Sequence, residues 1–250
     1  MKFASRGTAP FASTSPVLQL GCLATGPASV RAAIDSGADC VRVPYETAAM
    51  TLRNTRNERL AEAVRYAHRR ARKLVLDLTM PADAAWGERL AALAWAEENG
   101  VDAVVLSDAA LAAYSAVRHP ALRVHALAPA SVCARTARLM AVQLNAARIL
   151  VPDTVSTAQL VEIVSKAGVD IEVMDVNHSP VEGDAACNDA CISADRRRER
   201  ALARLPLLAS LGVRAVQVGT ESDMPRDLAM LVRRWRLAID RCLARPGVLP

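Results

Sequence analysis

The chain has 250 residues, of which 52% are hydrophobic and 3% aromatic, and a formal net charge of +5. This length and hydrophobic content suit one large domain with an aliphatic core, and α/β barrels reach this size as single domains. Six cysteines are too few for a disulfide scaffold, and no apolar run approaches the length of a membrane-spanning helix. We therefore expect a cytoplasmic protein without a membrane span.

The N-terminal segment is rich in Ser, Thr, Ala and Pro and lacks the apolar core of a signal peptide. It predicts a flexible tail over residues 1–15, followed by one domain over residues 16–250. The positive charge comes mainly from arginine, and its simpler interpretation is solvated helix faces. Attraction to RNA or to an acidic metabolite is the alternative, although few aromatic residues interleave with the basic runs.

From Pro16 onward, short apolar runs alternate with amphipathic helical patterns, as is typical of parallel strands covered on both faces. The predicted strands are residues 17–24, 39–45, 74–80, 103–107, 123–128, 147–152, 171–175 and 215–219. The predicted helices are residues 28–36, 57–71, 86–99, 111–119, 132–144, 157–167, 196–211 and 226–245.

Glycines close several of these helices just before the next strand, where a left-handed backbone ends a helix. They are Gly37, Gly100, Gly168 and Gly212. Eight strand–helix units in this length predict a single α/β domain, a (β/α)8 barrel of the TIM-barrel type. An open doubly wound sheet is the alternative, but the nearest glycine-rich turn, residues 20–29, does not match its phosphate-binding pattern.

A barrel gathers its functional residues at the carboxyl ends of its strands. The residues predicted there are Cys22, Tyr45, Glu46, Thr79, Asp108, His125, Asp153, Asp175, His178, Glu221 and Asp223. Asp108 and Asp153 suit helix caps equally well. His125 lies within a strand and also suits a hydrogen-bonded core histidine.

The longest stretch without a helix or strand period is residues 175–198, and connections of this length are usually functional or disordered. It contains Cys187 and Cys191, whose thiolates reach one ion if the segment forms a helix or tight turn. Zinc and iron–sulfur sites generally need four ligands. The further candidate metal ligands are Cys22 and Cys133, which follow the first and fifth strands, and His178. Cys40 and Cys242 suit packing positions instead.

Several segments, in the same order along the chain, resemble peptidase family U32, the collagenase-like family. They are residues 21–44, 50–54, 99–131, 146–173, 185–191 and 233–242. The resemblance implies a TIM-barrel-like fold, often with a 4Fe–4S cluster. Some members are described as peptidases, and others are oxygen-independent hydroxylases of ubiquinone biosynthesis (the UbiU and UbiV type) or of RNA bases. Residues 176–184 lack the family's earlier cysteine pair, and residues 219–222 lack its arginine.

The resemblance favours a relative of the hydroxylases with an altered or lost iron–sulfur site. In this interpretation Cys187, Cys191, Cys22 and Cys133 hold the metal, while His125, His178 and Asp175 transfer protons to or from a small-molecule or RNA substrate. One alternative is a non-catalytic paralogue that binds a metabolite or a second U32-type protein. Another is a peptidase with Cys187 as nucleophile and His178 as base, for which no motif spacing argues.

Overall fold

Eight parallel strands form a closed barrel in a computed structural model, which describes residues 18–45, 53–79, 84–174, 194–220 and 223–244. Each strand pairs with its neighbours in chain order, and the last pairs with the first. The strands are β1 (Gln19–Leu23), β2 (Cys40–Pro44), β3 (Lys73–Asp77), β4 (Ala103–Leu106), β5 (Arg123–Leu127), β6 (Ala146–Pro152), β7 (Asp170–Met174) and β8 (Ala215–Val218). The predicted TIM-barrel-like α/β fold is confirmed.

Helices follow the strands and surround the barrel. They are α1 (Pro27–Asp35), α2 (Arg53–Arg69), α3 (Trp86–Glu98), α4 (Ala109–Arg118), α5 (Ala134–Gln143), α6 (Thr157–Ala167), α7 (Ala194–Ala203), α8 (Leu205–Ser210) and α9 (Pro225–Leu243). The single helix predicted over residues 196–211 is wrong, because α7 and α8 are separate. Pro206 lies in the first turn of α8, where its missing N–H suits a helix start but not a helix interior.

The main hydrophobic core lies between the strands and the surrounding helices. Its largest buried side chain among the described residues is Trp235 of α9, and Leu20 and Ile149 of the strands belong to the same core. A smaller apolar cluster contains Val75, Val105 and other residues inside the barrel. Both faces of the strands are therefore buried, as expected for a parallel sheet.

The helix ends mostly have the residues and backbone conformations that the sequence predicts. The four predicted helix-ending glycines all have positive φ, from 70° at Gly100 to 105° at Gly37. The Asp108 carboxylate accepts hydrogen bonds from the Ala110 and Leu111 backbone N–H groups, so the helix-cap interpretation of Asp108 is confirmed. Asp153 instead accepts a 2.7 Å hydrogen bond from the Arg204 guanidinium.

The described part of the chain contains no helix that is long and apolar enough to cross a membrane.

Candidate functional site

Side chains from alternate strands fill the barrel interior in layers, the usual arrangement in barrels of this type. The strand registers place the middle layer at Gly21, Val75, His125 and Glu172. The layer above it, toward the carboxyl ends of the strands, contains Arg42, Val105, Leu150 and Gln217. The layer below contains Cys40, Ala103, Arg148 and Ala215. The interior is thus much more polar than the branched apolar filling that is typical of these barrels.

A small cavity, called here the barrel cavity, lies between the middle and upper layers. All eight residues of those two layers line it, together with residues Cys22 and Cys40. Its free space is on the order of one water molecule. The barrel cavity is therefore a nearly filled site at the centre of the barrel, with several polar side chains in a lining that is otherwise apolar.

Arg148 organises the polar residues below the cavity. Its Nη1 donates a 2.9 Å hydrogen bond to Glu172 Oε2, and its Nη2 donates a 2.8 Å hydrogen bond to Gln19 Oε1. The side chains of Arg148 and Glu172 are only 10% and 9% exposed. This buried ion pair fixes the Glu172 carboxylate at the bottom of the cavity.

Arg42 lies above the cavity with weak partners. Its Nε is 3.6 Å from Asp77 Oδ2, beyond hydrogen-bonding distance, and its Nη1 donates to the Met174 thioether at 3.2 Å. Asp77 Oδ1 accepts hydrogen bonds from the backbone N–H and the hydroxyl of Thr79. Because a thioether is a weak acceptor, the Arg42 guanidinium has no strong hydrogen-bond acceptor among the described residues.

Gln217 is fully buried, and neither its amide nitrogen nor its amide oxygen has a hydrogen-bond partner among the described residues. The Arg42 Nε also lacks a hydrogen bond. Leaving one buried polar atom unpaired costs about 1–3 kcal/mol. Unpaired groups lining a cavity are thus suited to hydrogen-bond a water molecule or a polar ligand.

His125 lies in the middle layer and is buried. Burial, and after it the nearby positive charge of Arg148, lowers its pKa to about 3. The imidazole is therefore neutral near pH 7 and offers one donor and one acceptor. Its role in proton transfer stays a prediction, and its environment favours hydrogen bonding to a ligand.

The two predicted cysteine ligands within the described residues do not share a site. The Cys22 side chain packs in the core between sheet and helices, its Sγ donates to the Leu23 carbonyl at 3.5 Å, and burial raises its pKa. Cys133 is exposed at the start of α5, where its Sγ is 3.3 Å from Thr136 Oγ1. Cys22 belongs to β1 and Cys133 follows β5, on the opposite side of the ring.

Six predicted site residues lie outside the described residues: Glu46, Asp175, His178, Cys187, Cys191 and Glu221. Within the described ranges, no group of three or more His, Cys, Asp or Glu side chains is arranged to hold a metal ion. Cys22 and Cys133 therefore do not fit a common iron–sulfur cluster.

The sequence prediction missed Glu172 and Gln217, and it did not include Arg42 among the site residues. Each is a single polar residue inside an otherwise apolar strand, in VRV, IEV and VQV. A polar residue within a short apolar run, repeated in neighbouring strands, was the signal that could have located this interior.

Peptidase family U32 matches the chain over residues 26–188. Solved structures resemble its fold. A structure described as native KDPGal has 12% identity and a TM-score of 0.60 and covers 91% of this chain and 97% of its own. Tryptophan synthase from M. tuberculosis, in an open form, has 17% identity and a TM-score of 0.59 over 89% of this chain and 92% of its own. At these identities the likeness supports the fold alone.

Proposed function

Since the chain belongs to peptidase family U32, we propose that it is related to the family's oxygen-independent hydroxylases, acting in ubiquinone biosynthesis or RNA modification, and that it binds a polar group of its substrate in the barrel cavity. The observation that supports a site there is the polar interior formed by Arg42, His125, Glu172 and Gln217. Burying such groups is unfavourable unless they are paired. A substrate-binding role accounts for their place in a barrel interior that is usually apolar.

In this proposal each interior side chain has a distinct task. Arg42 and Gln217 hold a polar group of the substrate from above the cavity. The neutral His125 orients it with one donor and one acceptor. Glu172 is kept in place by the buried ion pair with Arg148, so the layer beneath the substrate is rigid before binding.

Of the four cysteines predicted to bind an iron–sulfur cluster, only Cys187 and Cys191 remain candidate ligands. Cys22 is directed into the core and Cys133 is exposed on the other side of the barrel. A cluster in this chain would therefore rest on Cys187 and Cys191 with ligands other than these two. We derive no reaction step through it.

Anaerobic purification followed by iron and sulfide assays tests this assignment. We expect bound iron in the wild-type protein and its loss in Cys187→Ala and Cys191→Ala. Cys133→Ala and Cys22→Ala are the matched controls and are expected to keep the wild-type iron content, because their thiols lie apart. Wild-type protein that is colourless and free of iron would contradict the metal assignment, and iron loss in Cys22→Ala would contradict the separation of the sites.

A second candidate function is a non-catalytic subunit that binds a paralogous U32-type protein. The separated positions of Cys22 and Cys133, and the absence of cysteine from residues 176–184, favour it. Under this alternative the chain is expected to co-elute with a co-expressed U32-type paralogue in size-exclusion chromatography and to show no turnover by itself. Turnover by the purified chain alone would exclude it.

Peptidase activity has weaker physical support. Burial raises the pKa of the Cys22 thiol, which keeps it protonated and poorly nucleophilic. A histidine with a pKa of about 3, as at His125, is a weak general base near neutral pH. A peptidase would thus have to use Cys187 and His178, which lie outside the described residues.

A further inference from the structure

The unpaired amide of Gln217 specifies which hydrogen bonds a ligand of the barrel cavity must make. Its Nε2 needs an acceptor and its Oε1 needs a donor, and both atoms are buried. The unpaired Nε of Arg42 adds a second donor in the same layer. A ligand that satisfies the cavity must therefore combine an acceptor with a donor in one compact group.

Each arginine beside the cavity has a carboxylate counter-charge among the described residues. Arg42 lies next to Asp77, and Arg148 is paired with Glu172, while His125 is neutral near pH 7. An anion entering beside Arg42 would meet the Asp77 carboxylate 3.6 Å from the Arg42 Nε, and a cation would meet the guanidinium itself. An uncharged group avoids both penalties.

The available space limits the size of this group. A Cβ at Gly21 would lie 3.3 Å from Glu172 Oε1, so glycine keeps the side of the cavity open. The unfilled volume is on the order of one water molecule. Further room is gained if Met174 moves its thioether away from Arg42, and methionine side chains repack easily. A group of a few heavy atoms therefore fits only after Met174 has moved.

We propose that the barrel cavity binds the uncharged carboxamide group of a small molecule. The ligand carbonyl accepts from Gln217 Nε2 and Arg42 Nε, and the ligand NH2 donates to Gln217 Oε1. A carboxamide satisfies both atoms of the Gln217 amide at once, as in a paired amide dimer. This inference rests on the proposed function, because it assigns a substrate class to the same site.

Acetamide and acetate are suitable probes, because they have nearly the same size and shape but differ in charge and in the presence of a donor. Binding is measured by ligand-observed NMR titration at neutral pH. We expect saturable acetamide binding to the wild-type protein and at least about tenfold weaker binding to Gln217→Leu, since two hydrogen bonds are lost. Acetate is expected to bind at least about tenfold more weakly than acetamide.

Gln143→Leu is the matched control, because Gln143 is exposed at the end of α5, and it should leave acetamide binding unchanged. Gln217→Leu should also raise the melting temperature, because leucine removes two unpaired buried polar atoms from a similar volume. This stability readout separates loss of a binding group from loss of folding. Gln217→Met serves as a second variant if the leucine variant does not fold.

Each other outcome overturns the carboxamide assignment. Gln217-dependent binding of acetate in preference to acetamide would retain the substrate site but assign it to an anion. Acetamide binding that persists in Gln217→Leu would place the ligand elsewhere. Absence of acetamide binding to the wild-type protein would show that the cavity holds only water. The iron assay tests the proposed function independently.

Discussion

Arg148→Met is expected to lower the free energy of unfolding by about 3–5 kcal/mol, because it leaves the Glu172 carboxylate buried without its counter-charge. The same substitution removes the hydrogen bond from the guanidinium to Gln19. Both members of the pair are about nine-tenths buried, so water cannot replace the lost interaction. Urea unfolding followed by circular dichroism at pH 7 measures the effect.

The double variant Arg148→Met/Glu172→Leu distinguishes loss of a charge partner from loss of packing. Replacing both charges with apolar side chains removes the uncompensated carboxylate, so the double variant should recover most of the lost stability. Lys166→Met is the exposed control: its partner Glu162 is 64% exposed, and the expected change is within about 0.5 kcal/mol. A double variant as unstable as Arg148→Met would refute the buried-charge explanation.

This pair also links stability to the proposed site. Glu172 Oε1 lies beside Gly21, where an added Cβ would be 3.3 Å away, and both residues line the barrel cavity. A Glu172 side chain released from Arg148 would be free to shift toward the cavity that it lines. Loss of the pair should therefore disturb ligand binding as well as folding.

The sequence was sufficient to predict the architecture, because alternating apolar runs and helical patterns with glycine stops describe each β/α unit separately. The predicted and observed strands agree closely: residues 123–128 were predicted and β5 spans Arg123–Leu127. The exception is the segment from Ala194 to Ser210. Helical periodicity predicts one continuous helix there, but Pro206 starts a second helix.

The orientation of the strands' side chains could not be predicted in the same way. Alternation shows which residues share a face, but in a parallel barrel both faces are buried and both read as apolar. Nothing in the local sequence therefore revealed that Gly21 faces the interior while Cys22 packs toward the helices. The same ambiguity concealed Arg42 and Gln217, whose interior positions follow only from the register of the closed barrel.

His125 is expected to make the protein less stable as the pH falls below neutrality. Its pKa is about 3 in the folded protein, against about 6.5 in an unfolded chain. Above pH 6.5 the histidine is neutral in both states and has no pH-dependent effect. Between pH 6.5 and 3 the unfolded chain binds a proton that the folded protein does not, so stability decreases by about 1.4 kcal/mol per pH unit as the pH falls.

A comparison of the wild-type protein with His125→Asn isolates this contribution from that of the carboxylates. Between pH 7 and pH 5, the wild-type free energy of unfolding should decrease by about 2 kcal/mol more than that of the variant. Urea unfolding at half-unit pH intervals gives both curves, and His125→Gln repeats the test with a longer amide. The readout is the difference in pH dependence, so a constant loss of stability in either variant does not affect it. Parallel curves from pH 7 to 5 would show that His125 takes up its proton equally in both states, and the neutral imidazole assigned to the centre of the barrel would then be wrong.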